Sequence, residues 1–197
     1  MVLSQDEARF PLVPTLHTTL GVKGCRPMVG TWDNKDQVYC FAALHLGTGQ
    51  LTTRLLEQPA RSKAKTGSSK QQRLQTTFVA HLQDMARMYP ASTFPEVVIT
   101  IDNAPWHRGA SVEHILEVYP HLRLYRLPSY SPQLNVIERF WRVLRRRATH
   151  NRLFSSRASL RATLRSNISY FQTMRQKVLS LIESPRKAKK DAKLAAA

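Results

Sequence analysis

Acidic side chains are scarce in this sequence. Asp and Glu number 13 against 30 Lys and Arg, which leaves a formal net charge of +17 and a pI near 10.7. Such an excess repels itself in a compact fold and is tolerated where the partner is a polyanion. Cysteine is scarcer still: Cys25 and Cys40 lie far apart and in no CxxC pair. That excludes a disulfide framework and a cysteine-built zinc site, and fits a reducing compartment. Long apolar runs are lacking too, so no membrane span is expected. The chain opens without a basic-then-apolar leader pattern, having acids at Asp6 and Glu7; a soluble intracellular protein is expected. What is present is ordinary for a globular protein: 197 residues, 42% hydrophobic and 8% aromatic, enough for one domain with a core plus a short appendage.

The positive charge is unevenly placed. Residues 1–138 hold 14 basic and 11 acidic side chains, whereas residues 139–197 hold 16 basic and only two acidic, a net of +14. Arginine supplies most of the second set, and a guanidinium grips phosphate bidentately where an ammonium offers a point charge. A ribosomal or membrane-surface protein could carry the same imbalance, so charge alone does not choose the activity.

Hydrophobic periodicity organises the rest. Met1–Gln5 reads as a short strand ending at Asp6. Residues from about Cys25 to Trp32, Gln37 to Leu46 and Gln50 to Glu57 read as an antiparallel meander, with Gly47-Thr48-Gly49 as a turn. Residues 58–70 read as a mobile basic loop. Leu74, Phe78, Leu82, Met85 and Met88 recur at helical spacing between Gln71 and Tyr89, and Pro90 stops that helix. Val97–Ile101 is a continuous apolar run, the mark of a buried strand. A short helix over 110–118, a strand over Leu122–Leu127 and a strong helix from after Pro132 through Glu138 to about Arg147 follow. A second helical stretch covers about 156–182, and the Lys- and Ala-rich tail from Pro185 reads as disordered. The order suggests an α/β fold with a mixed sheet, three antiparallel strands then parallel strands, flanked by helices.

Functional groups of an open α/β sheet collect at strand ends. Asp6 and Asp102 each end a predicted strand, and Glu138 sits on the later helix, sharing a polar face with Asn135 and Arg142. Val136, Phe140, Val143 and Leu144 face the other way and can anchor that helix. Three carboxylates from separate elements are the oxygen-only ligand set that suits Mg²⁺ or Mn²⁺. Two such ions can activate an attacking hydroxyl and stabilise the leaving oxygen. Each acid also has a blander reading: Asp6 a solvated acid near a terminus, Asp102 a helix cap, Glu138 an exposed partner of Arg142.

The motifs that carry these acids are Gln5-Asp6-Glu7-Ala8-Arg9-Phe10, Lys23-Gly24-Cys25-Arg26-Pro27, Ile101-Asp102-Asn103-Ala104-Pro105-Trp106-His107 and the stretch from Leu127-Pro128-Ser129-Tyr130-Ser131-Pro132 through Gln133-Leu134-Asn135-Val136-Ile137-Glu138. Over roughly residues 1–150 the sequence resembles the DDE transposases of the mariner superfamily, specifically the bacterial six-thirty insertion-sequence family. The resemblance implies a ribonuclease H-like fold, with Asp6, Asp102 and Glu138 as the catalytic, metal-binding acids and two Mg²⁺ or Mn²⁺ ions as cofactor. It implies cleavage at transposon ends and strand transfer into target DNA, typically at a TA dinucleotide, by a homodimer in the bacterial cytoplasm associated with the nucleoid. Leu20 stands where many relatives have Trp, Val136 where many have Pro, and the interval 103–137 is one residue longer than the commonest. Relatives place helix-turn-helix modules before the first acid. Only five residues precede it here, so a separately encoded helix-turn-helix portion is an expected partner.

Around the acids, Asn103, His107 and Asn135 are expected to support the carboxylates from a second layer. Arg139, Arg142, Arg145, Arg146 and Arg147, with Lys63, Lys65 and Lys70 as lesser candidates, are expected to contact the DNA backbone. The expected organisation is a catalytic domain over 1–150, a basic helical region over 151–184 packed on it, and a tail over 185–197. Two other readings stay open: a catalytically idle transposase remnant that binds DNA without sequence preference, and a nuclease of this fold acting on branched or hybrid nucleic acid.

Overall fold

The computed structural model of the chain describes residues 1–31, 33, 35–58, 69–129 and 131–182. Five strands form one sheet: β1 (Val2–Pro11), β2 (Gln37–His45), β3 (Leu51–Gln58), β4 (Val97–Ile101) and β5 (Leu122–Arg126), in the spatial order β3-β2-β1-β4-β5. β1, β2 and β3 pair antiparallel, while β1–β4 and β4–β5 are parallel. The mixed sheet of three antiparallel and then parallel strands is as the element order suggested. The parallel strands are joined through helices α1 (Lys70–Met88) and α2 (Ala110–Val118); α3 (Glu138–Ala148), α4 (Arg157–Thr173) and α5 (Arg175–Ile182) follow β5.

Strand alternation builds two cores. In β2, Cys40, Ala42 and Leu44 face α3, α4 and α5, where they meet Ile137, Phe140, Trp141, Leu144, Leu164 and Phe171. Tyr39, Phe41 and Ala43 face the opposite side, with Leu74, Phe78, Leu82 and Met85 of α1 and Val112 and Ile115 of α2. Successive strand side chains point to opposite faces, so a strand buried on both sides reads as a continuous apolar run. Helix α1 begins at a capping box in which Ser69 and Gln72 exchange side-chain-to-backbone bonds, a device that fixes the first turn.

Three expectations need correction. Asp6 does not end a strand: β1 runs on to Pro11, and Leu3–Pro11 pair continuously with β2. The continuation is stabilised because Ala8 and Phe10 are buried in the core. The stretch from Cys25 towards Trp32 forms no strand; Cys25–Thr31 are exposed or half-exposed coil, and Trp32 lies outside the described residues. Its place in the antiparallel trio is taken by β1. The helical stretch over 156–182 is two helices, broken at Met174.

Candidate active site

Asp6 lies in the middle of β1, opposite Ala42, and its side chain emerges on the α3 side. There the buried indole Nε1 of Trp141 donates to Asp6 Oδ2 at 3.0 Å. Asp102 follows directly on Ile101, the last residue of β4, the strand next to β1. Glu138 is the first residue of α3, where the positive end of the helix dipole favours a carboxylate. The three acids line one cleft of about 380 Å³ together with Asn103, Asn135 and Ser131. Asp6 is nearly buried at 8% exposure, whereas half of the Asp102 side chain is open to solvent.

Burial, and then the negative charges of Glu7, Glu138 and Asp102, push the Asp6 carboxyl up to about 8. Asp102 goes the other way. Its hydrogen bond with His107 holds it below the usual carboxylate range, helped by the Ala104 backbone N–H. Burial and like charges thus oppose the ionisation of Asp6 in this cleft. The donors of the acid cluster are all carboxylate oxygens. That chemistry fits a hard divalent cation, which needs few protein ligands and keeps its own water.

His107 sits under Asp102 in a fully buried position, and its ring lies 4.3 Å from that of Phe78 on α1. Nδ1 is 3.0 Å from Asp102 Oδ1 and Nε2 is 2.9 Å from Glu7 Oε1. Burial alone would depress the imidazole, but the hydrogen bonds with Asp102 and Glu7 outweigh it and raise His107 to about 9. Glu7, Asp102 and His107 bring ligand atoms within 4.8 Å of one another. With both ring nitrogens already shared between two carboxylates, this arrangement is an ion-paired bridge rather than a vacant ligand set.

The other expected residues separate in space. Asn135 is buried, and its Oδ1 accepts from Ser4 Oγ at 3.1 Å, which ties the approach to α3 to β1. The Asn103 amide donates to the Leu127 carbonyl, at 2.8 Å, rather than to an acid. Arg139 donates to the Ile182 carbonyl at 3.0 Å, and Arg142 is exposed. Arg145 is half-buried with its guanidinium over Phe10, 5.6 Å from the ring centre, so it packs as much as it presents charge. Arg146 and Arg147 are exposed near the end of α3. Lys70 lies over the Tyr39 ring, and Lys63, Lys65, Tyr130 and the tail from Pro185 lie outside the described residues.

Trp141, which donates to Asp6, and Glu7, which pairs with His107, were not singled out from sequence. Trp141 is three positions after Glu138, on one helical face with it, and a buried indole N–H needs an acceptor. Glu7 is next to Asp6 and so points to the opposite face of the sheet. Both signals were available.

Residues 1–161 match the family model described as DDE superfamily endonuclease. Among curated proteins, the insertion element IS630 uncharacterized 39 kDa protein of Shigella sonnei is 26% identical over 155 residues, covering 79% of this chain and 40% of that protein. Among solved structures, a Mos1 mariner paired end complex with Mn superposes with a TM-score of 0.60 at 17% identity, over 91% of this chain and 53% of that one. The Mos1 transposase catalytic domain with Raltegravir and Mg gives 0.56 at 15% identity, over 91% and 79%. This chain thus spans well under half the length of the curated relative and about half of the first of these mariner chains. The likeness to solved structures gives the ribonuclease H-like fold, and the match over 1–161 gives the rest: the chain belongs to the DDE superfamily endonuclease family.

Proposed function

We propose that this chain is the catalytic domain of a DNA transposase, cleaving transposon ends and transferring the freed 3′-hydroxyl end into target DNA. The observation that carries the reading is the convergence of Asp6, Asp102 and Glu138 on one cleft, where burial and the neighbouring carboxylates raise Asp6 to about 8. These three acids would hold the metal. When bound, two Mg²⁺ or Mn²⁺ ions supply activation of the attacking oxygen and charge stabilisation at the leaving one. The Mos1 mariner structures with Mn and with Mg support that choice of ion.

The chain's own residues do the rest. Trp141 orients Asp6, His107 braces Asp102 from below the sheet, and the Asn135–Ser4 bond sets where α3 begins. Exposed arginines on α3, Arg142 and Arg146 foremost, hold the DNA backbone by charge-assisted bonds. We assign residues 1–150 to the catalytic domain and 151–184 to a basic helical region serving it. A homodimer, a helix-turn-helix portion and a nucleoid-associated location complete the proposal; the Shigella sonnei insertion-element relative supports a bacterial setting.

The test is a nicking and strand-transfer assay on DNA carrying the element's ends, with any helix-turn-helix portion supplied. Product that requires Mg²⁺ or Mn²⁺ and disappears in Asp102→Ala supports the reading. Salt-sensitive binding that never leads to cleavage would select the idle remnant instead, and preferential cleavage of junctions or RNA–DNA hybrids the nuclease.

A further inference from the structure

Outside the acid cleft, α3, α4 and α5 frame a second, open cavity of about 410 Å³, with an apolar floor of Val143, Phe171 and Leu181, the polar groups of Arg146, Arg147, Tyr170, Lys177 and Ser180 and, among the described residues, no carboxylate. Its charges are held in place. Arg147 Nε donates to Asn167 Oδ1 at 2.9 Å, and the guanidinium carbon lies 3.9 Å from the centre of the Tyr170 ring. Lys177 Nζ donates to the Tyr170 hydroxyl at 2.6 Å, so one phenol ties a cation from α3 to a cation from α5. A merely solvated arginine keeps its rotamer freedom; here stacking and the Nε bond remove it before any ligand arrives. Such prior ordering lowers the entropic cost of binding.

We infer that Arg146, Arg147, Lys177 and the Tyr170 hydroxyl form a phosphodiester seat for duplex DNA, separate from the acid cleft. The inference rests on the transposase reading for its ligand, and on the geometry for its place. Three cations without an acid between them call for an anion. The cavity volume, about 410 Å³, exceeds that of a single phosphate group, which favours a phosphodiester strand over a free anion. Helix α3 also separates the two sites: Arg147 follows Glu138 by nine residues, about half a turn round the helix at about 3.6 residues per turn, so the seat lies on another face of α3 from the acid cleft. Phosphate contacts there fix position without reading sequence.

The experiment is fluorescence anisotropy of the full chain on a labelled duplex between about 50 and 400 mM salt, for wild type, Lys177→Gln and Arg147→Gln/Lys177→Gln. Each lost phosphate contact reduces the slope of log K against log salt by about 0.9. The single variant is expected to lose about one unit of slope and the double about two, with affinity near 0.1 M falling about tenfold per contact. Arg123→Gln, on the far edge strand and paired there with Glu96, is expected to leave the slope unchanged. Circular dichroism melting checks the fold. Should Arg147→Gln disturb the α3–α4 packing, the exposed Lys177 decides alone. Folded variants with an unchanged slope would overturn the seat while leaving the transposase reading intact. A wild-type chain with no salt-dependent binding would overturn both.

Discussion

Asp6→Asn is expected to stabilise the metal-free protein, and the gain is expected to depend on pH. Asp6 stands at about 8 in the fold against an ordinary value of 3.8. An acid with a raised folded-state value binds its proton more tightly when folded. It therefore contributes stability below about pH 4, and that contribution is lost progressively as pH rises to about 8. The interval is about four pH units, and each unit corresponds to about 1.4 kcal/mol. Ionising Asp6 in the fold thus costs up to about 5 kcal/mol at pH 8. Relaxation and water entry at a cleft return part of such a penalty, leaving about 2–4 kcal/mol. Asparagine has nearly the same shape, and its amide oxygen can still accept from Trp141, so little packing is lost. For a chain of this length, 2–4 kcal/mol is a rise in Tm of about 5–15 °C.

The assay is thermal or urea unfolding in EDTA at pH 5 and pH 8, for both proteins. The variant is expected to gain most at pH 8 and little at pH 5. Adding Mg²⁺ or Mn²⁺ is expected to narrow the difference by stabilising wild type alone, since a ligand that binds only the folded state adds to its stability. A variant that is less stable than wild type at pH 8, or whose gain is the same at both pH values, would refute the argument that a crowded, buried carboxylate resists ionisation in this cleft.

Trp141→Phe keeps most of the buried ring but removes the donor to Asp6. Isothermal titration with Mn²⁺ is expected to show affinity weakened about 10-fold or more, as for lost groups that orient ligands; equal affinity with only a lower Tm would make the indole a space-filler. Glu7→Gln removes the charge opposite the buried His107. Chemical unfolding at pH 7 is expected to show a loss of about 1.5–3 kcal/mol, the range for a hydrogen bond to a charged group, and a loss under about 0.5 kcal/mol would mean the bridge holds nothing.

The sheet and its helices were legible because their signals are periodic and local. Leu74, Phe78, Leu82 and Met85 repeat at helical spacing and are all buried in α1, and the apolar run Val97–Ile101 is the strand between β1 and β5. Where the sequence misled, the deciding contact was distant. Cys25–Thr31 carries a β-like composition but finds no neighbour to pair with. The polar-looking Gln5-Asp6-Glu7 continues β1 because β2 lies alongside it for nine residues. Arg145 packs over Phe10, from the other end of the chain, a contact that spacing on a helix does not announce. The asparagines were legible as present near the acids but not in their bonds: the Asn103 amide goes to a carbonyl just past the next strand, which no local pattern announces.

The adjacency of Asp6 and Glu7 follows from the same strand geometry. Two neighbouring residues of a strand cannot serve one ion, because their side chains leave by opposite faces. The Asp-Glu pair therefore works on both sides of the sheet. Asp6 enters the acid cleft beside Trp141, and Glu7 passes beneath to His107, which returns to Asp102 at the end of the next strand. The last residue of the Asp102-Asn103-Ala104-Pro105-Trp106-His107 motif thereby meets the second residue of the Asp-Glu pair. What maintains this is register. A slip of one residue between β1 and β2 would exchange Asp6 for Glu7 in the cleft and turn Phe10 out of its core. The nine paired positions from Leu3 to Pro11 and the buried Ala8 and Phe10 thus secure the site as directly as any ligand does, and this is why β1 extends well past the acid it carries.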